Sequence, residues 1–170
     1  MKKIVLTFGI IAGIIVSAML LISFIDGMVD FESGKVVGYL TMIIALSTIF
    51  FGIKTYRDKH QNGSIKFGKA FKMGLYISLI ASTMYVASWM ILANTTAKGF
   101  MDDYYTYSVE QLHKSNLSQE EIEIKIKEIK EFQEIYKKPA VMAGFTYLEI
   151  LPIGLIISLL SASILKRKNI

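Results

Sequence analysis

Four stretches of the chain are apolar for long enough to cross a bilayer, and polar segments of unequal length separate them. A hydrocarbon core about 30 Å thick takes roughly 20 helical residues. Residues 4–25, 36–53 and 73–93 hold no formal charge, and 139–165 holds one, Glu149. The second run is short but suffices for an untilted helix. Backbone groups in lipid must pair within their own segment, so each run predicts an α-helix. The first run follows Lys2 and Lys3, as a signal peptide would. Its apolar core is too long for one, and "IVSAMLLISF" offers no small-x-small cleavage site, so it is expected to remain as a membrane helix.

Between the third and fourth runs the pattern changes to amphipathic. "NLSQEEIEIKIKEIKEFQEIYKK" opens with Ser118 and places Glu121 three residues on, the spacing of a capping box. Ile122, Ile126, Ile129, Phe132 or Gln133, and Tyr136 then recur at helical spacing. Glu121–Lys125 and Glu123–Lys127 stand at i,i+4, where opposite charges support a helix. Phe100, Tyr104, Tyr107 and Leu112 form a second, weaker stripe upstream. The alternation in "EIEIKIKEIK" also fits a strand, but length and cap favour helix. The prediction is a helical hairpin over about 98–138, turning near residues 115–117.

The expected architecture is therefore an all-α membrane protein, one domain over 1–170, with four transmembrane helices in a bundle and an extracytoplasmic helical hairpin between the third and fourth. Composition agrees: 53% of the residues are hydrophobic, the mean hydropathy is +0.47, and only two prolines are present. The formal charge of +5 does not indicate nucleic acid, because the basic residues flank apolar runs and do not share one face. The absence of cysteine removes disulfides and thiolate chemistry together.

Charge placement sets the orientation. Lys54, Arg57, Lys59, Lys66, Lys69 and Lys72 lie between the second and third runs, and Lys166, Arg167 and Lys168 follow the fourth. The loop between the first two runs carries Asp26, Asp30 and Glu32 against Lys35. Excess Lys and Arg mark the cytoplasmic side, so both termini and the 54–72 segment are expected there and 94–138 outside. The six basic residues of the 54–72 segment, with Tyr56, Phe67 and Phe71 as anchors, suit anionic lipid head groups. His60 and His113 fall in different compartments, so no metal site is expected.

Glu149 is the polar exception. It lies ten residues beyond Pro139, about 15 Å deep at 1.5 Å per residue. An ionised carboxylate at mid-membrane costs about 2.5–3.5 kcal/mol even on gentle insertion scales. Pro152 has no N–H for the Leu148 carbonyl, so the helix should bend beside Glu149. Hydroxyls at similar depth that could partner it are Ser17, Thr41, Ser47, Thr48, Ser78, Ser82 and Tyr85. One reading makes Glu149 a neutral hydrogen-bonder that locks a bent helix; the other makes it a proton- or cation-accepting group. Small residues at helical spacing (Gly9, Gly13, Ser17; Gly74, Ser78, Ser82) permit close helix packing. Gly144, Gly154, Ser158 and Ser161 lie opposite Glu149 on the fourth helix, and one of those two sides is expected to face another subunit.

"FFGIKTYRDK", "NGSIKFGKAFKMGL" and the segment from Ser118 to Lys168 resemble domain of unknown function 4199, a bacterial membrane family typical of Bacteroidetes. The resemblance spans essentially the whole chain and includes T-x-x-E-x-x-P, here Thr146, Glu149 and Pro152. It implies an inner-membrane protein with four helices, and it implies no reaction, ligand or partner. Because G-x-S-x-G, H-E-x-x-H and Walker sequences are absent, an enzyme is not expected, nor is a cofactor. The expected role is an accessory or structural membrane protein that binds another membrane protein or a second copy of itself. The alternative is a small homo-oligomeric transporter or channel using Glu149, with Thr146 and Pro152 as its polar surroundings.

The orientation is testable because the chain is free of cysteine. In intact cells, Lys114→Cys should react with an impermeant thiol reagent and Asn62→Cys should not. The reverse pattern would invert the topology.

Overall fold

The structure is a computed structural model that describes residues 1–24 and 31–167. Asp26, Asp30 and Lys168, which entered the charge argument, lie outside the described residues. Seven helices follow in order: α1 (Lys2–Ile22), α2 (Ser33–Leu46), α3 (Thr48–His60), α4 (Phe67–Asn94), α5 (Phe100–His113), α6 (Gln119–Tyr136) and α7 (Pro139–Leu165). Four segments are long and apolar enough to span a membrane: α1, the α2–α3 unit, α4 and α7.

The second span departs from the expected single helix over 36–53, because it breaks at Ser47. The cause is local. Ser47 Oγ donates to the Ile44 carbonyl at 2.6 Å and Thr48 Oγ1 to the Ala45 carbonyl at 2.8 Å. Such hydroxyls compete with backbone amides for the same acceptors and bend helices. The Phe50 amide closes a tight i−3 bond onto Ser47 O at 3.0 Å, the geometry of a 3₁₀ turn. The buried residues of α2 (Met42, Ala45 and Leu46) are all beside this break, while Val36, Val37, Tyr39 and Leu40 are exposed. Thus α2 packs at its C-terminal end and leaves the bundle towards its N-terminal end.

The centre of the bundle is α4, which packs most extensively on α1 and α7. Lipid offers apolar side chains no gain on association, so close backbone approach through small residues drives it. A Cβ on Gly74 would sit 2.7 Å from Ser158 Oγ. One on Gly154 would overlap the Ser78 hydroxyl. Ser158 Oγ satisfies itself on the Gly154 carbonyl at 2.6 Å. On the other flank, Gly9 fits against Ile80 and Gly13 against Met84. The side of α7 that holds Gly154, Ser158 and Ser161 therefore faces α4 of the same chain, and only Gly144 of that set meets open space. The α3–α4 turn uses positive φ at Asn62 and Gly63. There the C-terminal segment is tied down: the Arg167 amide donates to Ile65 O at 3.0 Å and Ser64 Oγ to Arg167 O at 2.7 Å.

The cap on α6 forms as expected. The Glu121 amide donates to Ser118 Oγ at 3.3 Å, and the Ser118 amide donates to Glu121 Oε2 at 2.8 Å. Glu121 is thereby turned away from Lys125, while Glu123 accepts from Gln119 at 3.3 Å, so neither expected i,i+4 ion pair closes among the described residues. Gln133, not Phe132, takes the buried position and donates to Asp102 Oδ1 of α5 at 2.6 Å. Phe132 turns to Phe145 of α7 instead, with ring centroids 5.0 Å apart.

The Ser118 backbone N–H, then its hydroxyl, holds the Glu121 carboxyl below its ordinary range. A depressed folded-state value makes the cap's support complete above the ordinary carboxylate range and removes it as pH falls through the lowered value. Hydrogen-exchange protection in the first turns of α6 should therefore fall on acidification below the ordinary carboxylate range. Ser118→Ala should lower it about 2- to 30-fold at neutral pH. Unchanged protection in the variant would contradict the cap.

Candidate functional site

Seating α7 on α4 through Gly154 and Ser158 fixes what the rest of α7 faces. At 100° per residue, Glu149 points well away from that small-residue face. It is exposed and lines a cavity of about 460 Å³. This cavity occupies the wedge left by α2. Its walls come from the C-terminal half of α1, the N-terminal half of α2, the C-terminal half of α4, the start of α5, the end of α6 and α7. Glu149 lies ten residues into α7, and Phe24, Phe31, Phe100 and Tyr104 line the other end. Tilted and stacked ring contacts tie these four residues together and to Trp89.

The polar groups in the cavity converge from separate helices. The Glu149 carboxyl and the Tyr85 hydroxyl both line it. Trp89 Nε1, one turn further along α4, donates to Tyr136 Oη at the end of α6 at 2.9 Å. Burial lifts the Tyr136 hydroxyl above the ordinary tyrosine range, so it stays protonated. Thr146 donates to the Met142 carbonyl at 2.8 Å. Thr146 is 4% exposed. Its hydroxyl is spent on its own helix, and it does not line the cavity. Pro152 is exposed, outside the cavity, and α7 continues through it as one helix, so the expected bend does not interrupt the helix.

Of the seven hydroxyls at Glu149's depth, Tyr85 and Thr41 line the same cavity. Thr41, Ser47 and Thr48 are spent on carbonyls of their own helices, while Ser17, Ser78 and Ser82 are buried with no hydrogen-bond partner among the described residues. A cation also belongs to the cavity: Lys35, in the first turn of α2, lines it together with Tyr39. No ion pair joins Lys35 to Glu149. The sequence pattern assigned Lys35 to a loop and did not connect Trp89 or Tyr136 with Glu149. The available signals were Trp89 as the only tryptophan and the tendency of Trp and Tyr to sit at membrane interfaces.

The basic residues of the 54–72 segment are well away from this cavity. Lys54, Lys59, Lys66, Lys69 and Lys72 are exposed. Lys69 also lies over the Tyr56 ring at 5.1 Å and Lys72 over Tyr76 at 5.8 Å. Arg57 differs: it is 9% exposed and donates through Nε to Asp58 at 2.6 Å, which leaves it little freedom to meet a head group.

Chemically, one carboxylate beside a phenol and an aromatic wall can hold a cation or exchange a proton. No group of three or more His, Cys, Asp or Glu that could hold a metal ion occurs among the described residues. Neither a curated protein nor a solved structure matches the chain. Residues 7–167, nearly the whole chain, match one family, and the protein belongs to it: Protein of unknown function (DUF4199).

Proposed function

We propose that this is a multi-pass protein of a bacterial inner membrane that admits a small solute from the outer face into the Glu149 cavity, as a binding or carrier protein and not as a catalyst. Both termini face the cytoplasm, and α5 and α6 form an extracytoplasmic hairpin over the mouth. The observation that carries the reading is the placement of Glu149. A carboxyl that served only to lock α7 into the bundle would be enclosed by packed side chains, whereas Glu149 opens on a space of ligand size. The Lys and Arg bias of the loops supports the orientation.

A second reading, an accessory protein that binds another membrane protein or a second copy, draws on α2. Val36, Leu40 and Ile44 are 60%, 54% and 66% exposed, so this helix has surface to spare for a neighbouring chain. On that reading the cavity has no role.

Two glycines separate the readings. Gly38 lines the cavity and Gly144 is exposed on α7 outside it, and a Cβ added to either meets nothing within 4 Å. Each is five residues from the start of its helix, about 7–8 Å along the axis. In right-side-out membranes, Gly38→Cys should react with an impermeant methanethiosulfonate at least about ten times faster than Gly144→Cys. Equal slow rates would mean that lipid or a partner chain fills the wedge.

A further inference from the structure

The chemistry of the walls narrows what such a cavity accepts. Its deep polar feature is one carboxyl, Glu149, with the Tyr85 hydroxyl in the same cavity. Magnesium and calcium ions call for several oxygen ligands or retained water, and a single carboxylate among apolar walls does not provide them. Aromatic side chains line the rest of the cavity instead: Tyr39 from α2, Tyr85 and Trp89 from α4, and Tyr104 and Tyr136 from α5 and α6. A ring face attracts a cation, most strongly when the cation is weakly hydrated and the site excludes water. Resting on the cavity reading above, we propose that the occupant is an organic cation, an ammonium on an apolar body, with its charge against Glu149 and its body among Tyr39, Tyr85 and Trp89.

The depth of Glu149 argues against a phospholipid. Lys35 lies in the first turn of α2, one turn outward of Tyr39 and away from the α2 end that packs in the bundle. An outer-leaflet lipid carries both head-group charges above its acyl chains. In this cavity it would bring hydrocarbon to Glu149 and leave the carboxyl unmatched. The volume, about 460 Å³, suits a ligand of drug-like size.

The chain has one tryptophan, and it lines the cavity, so Trp89 fluorescence reads occupancy directly. The full chain in phosphatidylcholine nanodiscs is titrated with benzyltrimethylammonium and, separately, with its neutral isostere neopentylbenzene. The cation should give a saturable change, and the neutral compound should bind at least about tenfold more weakly. Glu149→Gln should weaken the cation at least about tenfold while leaving the unliganded Trp89 spectrum unchanged. If that variant does not fold, Tyr39→Leu serves in its place, since Tyr39 is 48% exposed and its loss should cost the cation several-fold and the neutral compound little. Equal affinity for the two compounds overturns the proposal, as does full affinity in Glu149→Gln. Competitive displacement by dihexanoylphosphatidylcholine would make the occupant a lipid head group and also overturn it. No saturable binding overturns the cation assignment as well, and rapid labelling of Gly38→Cys would then show that the open cavity itself stands.

Discussion

The close approach of α7 to α4 at Gly154 and Ser78, repeated one turn along at Ser158 and Gly74, is the contact on which the rest of the molecule depends. Where a Cβ at position 154 would overlap the Ser78 hydroxyl, only glycine lets the two backbones meet. In lipid that contact has no hydrophobic substitute, because an apolar side chain gains nothing by leaving the hydrocarbon. Once the small-residue face of α7 is committed to α4, helical geometry decides the remainder. Thr146 is buried beside Tyr136, Ile150 enters the core, and Glu149 is turned out of the packed interface.

Whether Glu149 then meets lipid or a cavity depends on a second, weaker feature. Ser47 and Thr48 divert two backbone carbonyls to side-chain hydroxyls and break the second span near its middle. The C-terminal part, α3, rejoins the core through Ile49, Ile53 and Tyr56, while the N-terminal part, α2, keeps only its last turns against it. The wedge left behind is lined on one side by Glu149 and Tyr85 and on the other by Tyr39 and Lys35. Broken spanning helices are tolerated where the irregular backbone is buried in protein or borders a cavity, and here the break lies against Leu46 and Ile49, both fully buried.

Much of this was legible from residue order. The four spans followed from the length of their apolar runs, the α6 cap from Ser118 and Glu121, and close helix packing from Gly9, Gly13 and Gly74. The break at Ser47 was not legible, because a run-length criterion averages over two hydroxyl residues that act only on their own turn. Lys35 was missed for a boundary reason: α2 begins at Ser33, three residues before the charge-free run, which brings the lysine onto the helix. The choice between Phe132 and Gln133 had to wait for α5, whose Asp102 supplies the partner that makes a buried glutamine tolerable. The Trp89–Tyr136 hydrogen bond joins residues 47 positions apart, and no helical period in either segment points to the other. The candidate site was thus half visible: its carboxyl and its phenol were named, while the cavity between them is a tertiary feature.

The central claim is that Glu149 faces water that reaches it from outside, and not lipid or packed protein. A water-soluble carbodiimide with glycine ethyl ester, applied to sealed right-side-out membranes, tests this at the carboxyl itself. Mass spectrometry of the peptide containing Glu149 should show the ester adduct, and benzyltrimethylammonium should suppress its formation. An adduct formed only with membrane-soluble dicyclohexylcarbodiimide, and never with the water-soluble reagent, would contradict the account.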